Sequence, residues 1–134
     1  MKSNYRKITI IRASMPPNGT INDQLQWLGG SMGLFNLRDK DKSCFRIFIE
    51  LLKVAKRDNS ISSDELSERL MLSRGTVVHH LNKLMEAGIV IHRENHYTLR
   101  SNSLEGVLEE VEREMDRFFE DMRGIAEDID RKLN

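Results

Sequence analysis

Between Ser73 and His80 the chain reads Ser-Arg-Gly-Thr-Val-Val-His-His, which sets a guanidinium, two hydroxyls and two imidazoles within a short span. Arg74 has the reach and the forked geometry for guanine N7 and O6, or for a phosphate. If the stretch is helical, each residue turns by about 100°, and the side opposite apolar Val77 carries Gly75, His79, Asn82 and Glu86, with Thr76 and Val78 at its edges. Arg74 and His79 are then candidates for base-edge contacts and Val78 for a thymine methyl. Ser73, Thr76, His80 and Lys83 fit contact with the nucleic-acid backbone or bracing of the helix, and Gly75 allows close approach. For His80, which projects toward the packed side, a purely structural role is the stronger reading.

Those side chains need a rigid frame, and the surrounding sequence supplies one. Ser63, Asp64 and Glu65 give a cap and early negative charge to a short helix ending near Leu70, where free amides favour acceptors and anions. Ser73 caps a second helix with Val77, Leu81 and Leu84 at helical spacing, and Gly88 suits a left-handed residue after its end. Two short helices sharing one core make a helix-turn-helix, whose second helix enters the DNA major groove. Upstream, Cys44, Ile47, Phe48, Leu51, Leu52 and Ala55 form a wide apolar stripe on a helix from Asp39 to Lys56, widened further by Phe45 and Ile49. Such a helix is expected to be buried on two sides, against the helix-turn-helix and against a terminal helix or a second subunit. Ile61, between polar residues, fits a short strand. After Gly88 the pattern alternates: Ile89 to Arg93 and His96 to Arg100 flank Glu94-Asn95 as a tight hairpin, a wing whose main tip cation is Arg93.

With those elements laid out, Ser73 to Val90 closely resembles the recognition helix and following turn of the ArsR family of bacterial and archaeal winged-helix repressors. The resemblance rests on the capping Ser73, Thr76-Val77, His79-His80-Leu81, Leu84 and Glu86-Ala87-Gly88-Ile89-Val90, within a match spanning roughly residues 39 to 100. Gly75 and Val78 depart from the residues usual there. The resemblance implies a mainly helical fold with a small β-hairpin wing, and a homodimeric repressor of transcription binding double-stranded DNA. It would read a pseudo-palindrome with half-sites about one helical turn apart. The expected division is residues 1–38 as an N-terminal arm and short helix, 39–101 as the DNA-binding domain, and 102–134 as a dimerisation helix.

The basis for dimerisation lies in the last segment. Leu104, Leu108, Val111, Met115, Phe118, Met122, Ile125 and Ile129 recur in alternating steps of four and three, the heptad pattern of a helix that pairs. A helix from about Ser103 to Leu133 would run about 45 Å, too long for one small domain to cover alone, the alternative being a helix packed within a monomer. The flanking charges offer few opposite-sign pairs. Val107, Phe119 and Ala126 are therefore expected to complete a broader contact with both a mate and the wide-striped helix, while Glu110, Glu114 and Asp121 read as a solvated face.

Composition narrows the alternatives. Of 134 residues, 39% are hydrophobic and 31% charged, with zero net charge. That zero hides an asymmetry: the first 102 residues sum to +6 and the last 32 to −6. Positive charge in the first part suits phosphate contact, which supplies most non-specific affinity for nucleic acid. No apolar run approaches the roughly 20 residues that span a bilayer. A single cysteine excludes an intramolecular disulfide and fits a cytoplasmic protein; Cys44 itself reads as a buried core thiol. Tyr5 to Arg12 is β-prone, and its Lys2, Arg6, Lys7 and Arg12 could lie on phosphates or belong to a frayed or edge-strand terminus before the break at Pro16-Pro17-Asn18-Gly19. Ile21 to Leu28 fits a short helix stopped by Gly29 and Gly30, and the segment through Phe35, with Trp27, is either core or a regulatory surface. Metal sensing would need clustered thiolates or paired imidazoles; only His92 and His96, across the hairpin turn, are conceivable, so neither a metal nor a cofactor is expected. No nucleophile elbow, catalytic triad or phosphate loop is present, and no enzyme is expected. The rival reading is a winged-helix module that binds protein in a larger assembly.

Overall fold

The computed structural model describes residues 5–14, 19–35 and 42–134. Lys2, Pro16, Pro17, Asn18 and the expected helix start at Asp39 lie outside them. The described residues form α1 (Ile21–Ser31), α2 (Ser43–Lys56), β1 (Ile61–Ser62), α3 (Ser63–Leu70), α4 (Arg74–Glu86), β2 (Val90–Arg93), β3 (His96–Leu99) and α5 (Leu104–Leu133). This is the expected mainly helical fold with a small wing and a long C-terminal helix: a winged helix-turn-helix.

The core centres on α2. Ile47 and Leu51 are fully buried against Leu66 of α3 and Val77, Leu81 and Leu84 of α4, with Ile61 and Ile89 closing the sheet side. Burying each such side chain contributes about 1.5–3 kcal/mol, enough to hold helices as short as α3 that would not form alone. Caps define the helix ends. Ser62, one residue earlier than expected, caps α3: its hydroxyl accepts from Glu65 N at 3.1 Å, because Ser62 is extended while Ser63 is already helical. Ser73 caps α4 by accepting from Thr76 N at 3.1 Å, and Gly88 follows with a φ of 80°. The three strands are antiparallel in the order β1-β3-β2, so Ile61 does supply the short strand, opposite Tyr97. Glu94 takes a left-handed φ of 55° in the hairpin turn.

Residues before α2 share this core. Thr20 and Asp23 form a capping box that starts α1, each side chain accepting from the other's backbone N–H at 3.2 Å. The helix then passes through Gly29 and Gly30 instead of stopping there. Its terminator is Gly33, with a φ of 68°. Gly29 is helical for a packing reason: a Cβ there would sit 1.9 Å from the ring of Phe35. That ring packs edge-on against Phe45 at 5.2 Å and Phe48 at 5.8 Å, so Phe35 covers part of the wide α2 stripe expected to face a terminal helix or partner. Leu25, Met32 and Leu34 are buried, whereas Trp27 is only half-buried, which makes core the main use of this segment.

Residues 5–14 form no strand, contrary to their β-prone composition. Their backbone donors reach the open carbonyls of helix ends: Lys7 N donates to Glu86 O at 2.9 Å and Ile11 N to Ser31 O at 2.7 Å. Helix C-termini leave such carbonyls without intrahelical partners, so an extended chain can dock there without joining a sheet.

Candidate nucleic-acid interface

Helix α4 is held from behind. Val77, Leu81 and Leu84 are buried, while Gly75, His79, Asn82 and Glu86 are exposed and Thr76 and Val78 half-buried. The face expected to point away from the core therefore does so. At its N-terminus Ser73 Oγ donates to Thr76 Oγ1 at 2.8 Å, so these two hydroxyls fix one another as well as the first turn. Arg74 reaches Asp64 of α3, Nε to Oδ1 at 3.4 Å, with both side chains more than 70% exposed. An exposed pair of this kind is worth little, and a phosphate or base can displace Asp64 at small cost. Beyond Gly75 a Cβ would meet nothing within 4 Å, which leaves the backbone approachable.

Lys83 is placed otherwise. Its ammonium donates to Leu34 O at 3.3 Å, tying α4 to the loop after α1, so it braces the helix in the free protein. His80 is half-buried beside His79, their ring centroids 5.3 Å apart. On the wing, Arg93 is exposed and His92 stacks on Tyr97 with centroids 4.4 Å apart and planes 10° apart. An open groove runs between α4 and the wing, lined by Asn82, Glu86, Ile91, His92, Arg93 and Tyr5. Sequence patterning did not place Tyr5 in it.

The strand register separates the two wing histidines. His92 lies opposite Tyr97 and Arg93 opposite His96. Directly opposed residues share a face and neighbours alternate, so His92 and His96 point to opposite sides and cannot share a metal ion. Among the described residues no group of three or more His, Cys, Asp or Glu is placed to hold one.

The C-terminal helix divides its heptad residues. Val111 is buried, with Val107, and Leu104 and Met115 pack against the core from partly buried positions. Leu108 (38% exposed), Phe118, Met122, Ile125 and Ile129 face solvent, as do Phe119 and Leu133. The helix from Leu104 to Met115 thus belongs to the winged helix, and the rest leaves it with an exposed apolar stripe. None of the described helices is long and apolar enough to cross a membrane.

Glu110 and Glu114 are not the solvated face their sequence suggested. Glu114 is only 12% exposed and takes Arg6 Nε at 2.9 Å and Arg100 Nη2 at 3.1 Å, while Arg100 Nε lies 3.4 Å from Glu110 Oε2. Burial pushes the Glu114 carboxyl up, but the hydrogen bonds and charges of Arg6 and Arg100 outweigh it and hold the group below the ordinary glutamate range. The one sequence signal was the i,i+4 spacing of two like charges, which asks for cations between them. Nothing local identifies Arg6, 108 positions away, as one of those cations.

The fold and the exposed face of α4 define a winged helix-turn-helix protein. Consistent with this, a model of the family described as winged helix-turn-helix DNA-binding matches residues 48–91, from within α2 to the first strand of the wing hairpin. No curated protein and no solved structure matches the chain.

Proposed function

We propose that this chain is a homodimeric, sequence-specific regulator of transcription, acting in the cytoplasm without a bound cofactor and without catalysis. Residues 39–101 read double-stranded DNA and residues 102–134 pair two copies. The observation that carries the reading is the exposed face of α4, where Gly75, His79, Asn82 and displaceable Arg74 stand on a buried Val77-Leu81-Leu84 seam. Arg74 and His79 reach base edges, Val78 a thymine methyl, and Ser73, Thr76 and Arg93 the phosphates. Lys83 joins them by exchanging Leu34 O for a phosphate. A repressor's role is supported by the resemblance of Ser73 to Val90 to the ArsR family.

Pairing is supported by the uncovered stripe at Leu108, Phe118, Met122, Ile125 and Ile129. A two-fold dimer presents two α4 helices to half-sites about 34–36 Å apart. Selection of bound sequences from random duplex DNA at two salt concentrations tests the reading. The expected result is a pseudo-palindrome with affinity that falls steeply with salt. Weak binding without sequence preference would instead favour a protein-binding module, a role that the scarcity of free cations on the α4 face would suit.

A further inference from the structure

Arg6, Arg100, Glu110 and Glu114 meet where four parts of the molecule converge. Arg6 comes from the N-terminal segment, Arg100 follows β3 at the base of the wing, and both glutamates project from α5. The recognition helix enters through its last carbonyls: Arg6 Nη1 donates to Met85 O at 3.1 Å, and neighbouring Lys7 N donates to Glu86 O. A cation at that end also complements the helix dipole. Gly88 forms the floor, where a Cβ would stand 3.1 Å from Arg6 Nε and 3.4 Å from Arg100 Nη1. Two guanidiniums and two carboxylates balance, and the shielded Glu114 is bridged on both oxygens.

Position on α5 gives the cluster its leverage. Among the described residues Glu114 lies beside the last packed contact of the helix with its own domain: Met115 is partly buried and every residue from Asp116 to Glu127 is exposed. From Glu114 to Ile129 the helix runs about 22 Å at roughly 1.5 Å per residue. A tilt of about 10° at Glu114 would therefore move Ile129 by about 4 Å, comparable with the roughly 3.4 Å between successive base pairs. Leu104, Val107, Val111 and Met115 pack the start of the helix against the core, although apolar contact is itself non-directional. The charge-assisted contacts to both Glu114 oxygens, one from Arg6 and one from Arg100, add a directional restraint where that packing ends.

We infer that the Arg6–Glu114–Arg100 cluster is a positioning device that fixes the angle between the dimerisation helix and the recognition helix, and so sets the half-site spacing the dimer accepts. The spacing consequence rests on the proposed function; the fixed angle does not. Arg6 is a positioning residue and touches no base in this scheme.

The test uses full-length protein in two measurements. In the first, spin labels at Asn82→Cys and Arg123→Cys, diluted into unlabelled chains, report the distance between α4 and distal α5; Cys44 is 1% exposed and stays in place. In the second, duplexes obtained by selection are rebuilt with half-sites moved one base pair closer or further apart. Glu114→Gln should remain folded and keep wild-type affinity for a single half-site. It should broaden the label distances and lose about tenfold of the discrimination between spacings, the size of one mismatched pair. Arg6→Lys, which keeps the charge but loses the fork, should do the same more weakly and serves if Glu114→Gln does not fold. Unchanged label distances in the folded variant overturn the positioning role. Broadened distances with an unchanged spacing profile overturn its link to spacing. Wild-type protein that selects no sequence overturns the DNA reading and the spacing consequence together, while the label distances still decide the angle.

Discussion

Replacing Ile125 with glutamate isolates the role of distal α5, because in the single chain this side chain is 63% exposed. Full burial of an isoleucine stabilises by about 1.5–3 kcal/mol, so covering that exposed share is worth about 1–2 kcal/mol per copy. A two-fold dimer counts it twice, about 2–4 kcal/mol, or roughly 30- to 1000-fold in the dissociation constant. A buried carboxylate adds its own penalty, so these figures are a floor. Sedimentation equilibrium over about three decades of concentration should show a wild-type dimer and an Ile125→Glu monomer. Circular dichroism adds a second readout: without a mate, the helix beyond Arg117 is anchored at one end only and should fray, since isolated helices of this length are marginal in water. The winged helix itself should stay folded. A wild-type chain monomeric throughout that range, or an Ile125→Glu dimer of unchanged affinity, would refute the assignment.

Three further outcomes are expected. Arg74→Ala should weaken specific binding by about 1–3 kcal/mol while hardly changing stability, since its partner pair is exposed; an unchanged ratio of specific to non-specific affinity would remove Arg74 from the base-reading set. Gly75→Ala should stabilise the free protein, by up to about 1 kcal/mol in thermal melting, yet weaken DNA binding if the duplex approaches that backbone closely; unchanged affinity would show that it does not. Glu114 has a depressed carboxyl pKa in the folded chain, so its contribution to stability is present above the ordinary glutamate range and lost as pH falls through the folded value. Urea titrations at a series of acidic pH values should give a shallower loss of stability for Glu114→Gln than for wild type.

Elements built from local signals were legible. Serine caps, the Val77-Leu81-Leu84 spacing, Gly88 and the Glu94-Asn95 turn each act over a few residues, so the order of α3, α4 and the wing followed from them, with errors of a residue or so at their ends. The exposed face of α4 was equally legible, because helical periodicity fixes which residues oppose a buried seam. What escaped was long-range. Gly29 and Gly30 looked like a stop because glycine disfavours helix, but a ring six residues later needs the space at Gly29. Arg6 resembled a free cation and Glu114 a solvated anion, since nothing near either one signals the other. Tyr5 to Arg12 had the composition of a strand, yet helix-end carbonyls took its backbone donors.

That docking of the N-terminal segment has a consequence during synthesis. Residues emerge from the ribosome in order, and Lys7 bonds to Glu86 while Arg6 pairs with Glu114, 79 and 108 positions later. Contacts so distant in sequence form late, after local helices and hairpins. A segment made before the rest of this fold is therefore finished last: α2 to the wing can assemble while Tyr5 to Arg12 still waits, and only the arrival of α5 gives Arg6 its carboxylate. Until then Ile8, which packs on the core in the finished fold, stands open beside uncommitted cations, where a chaperone can reach it.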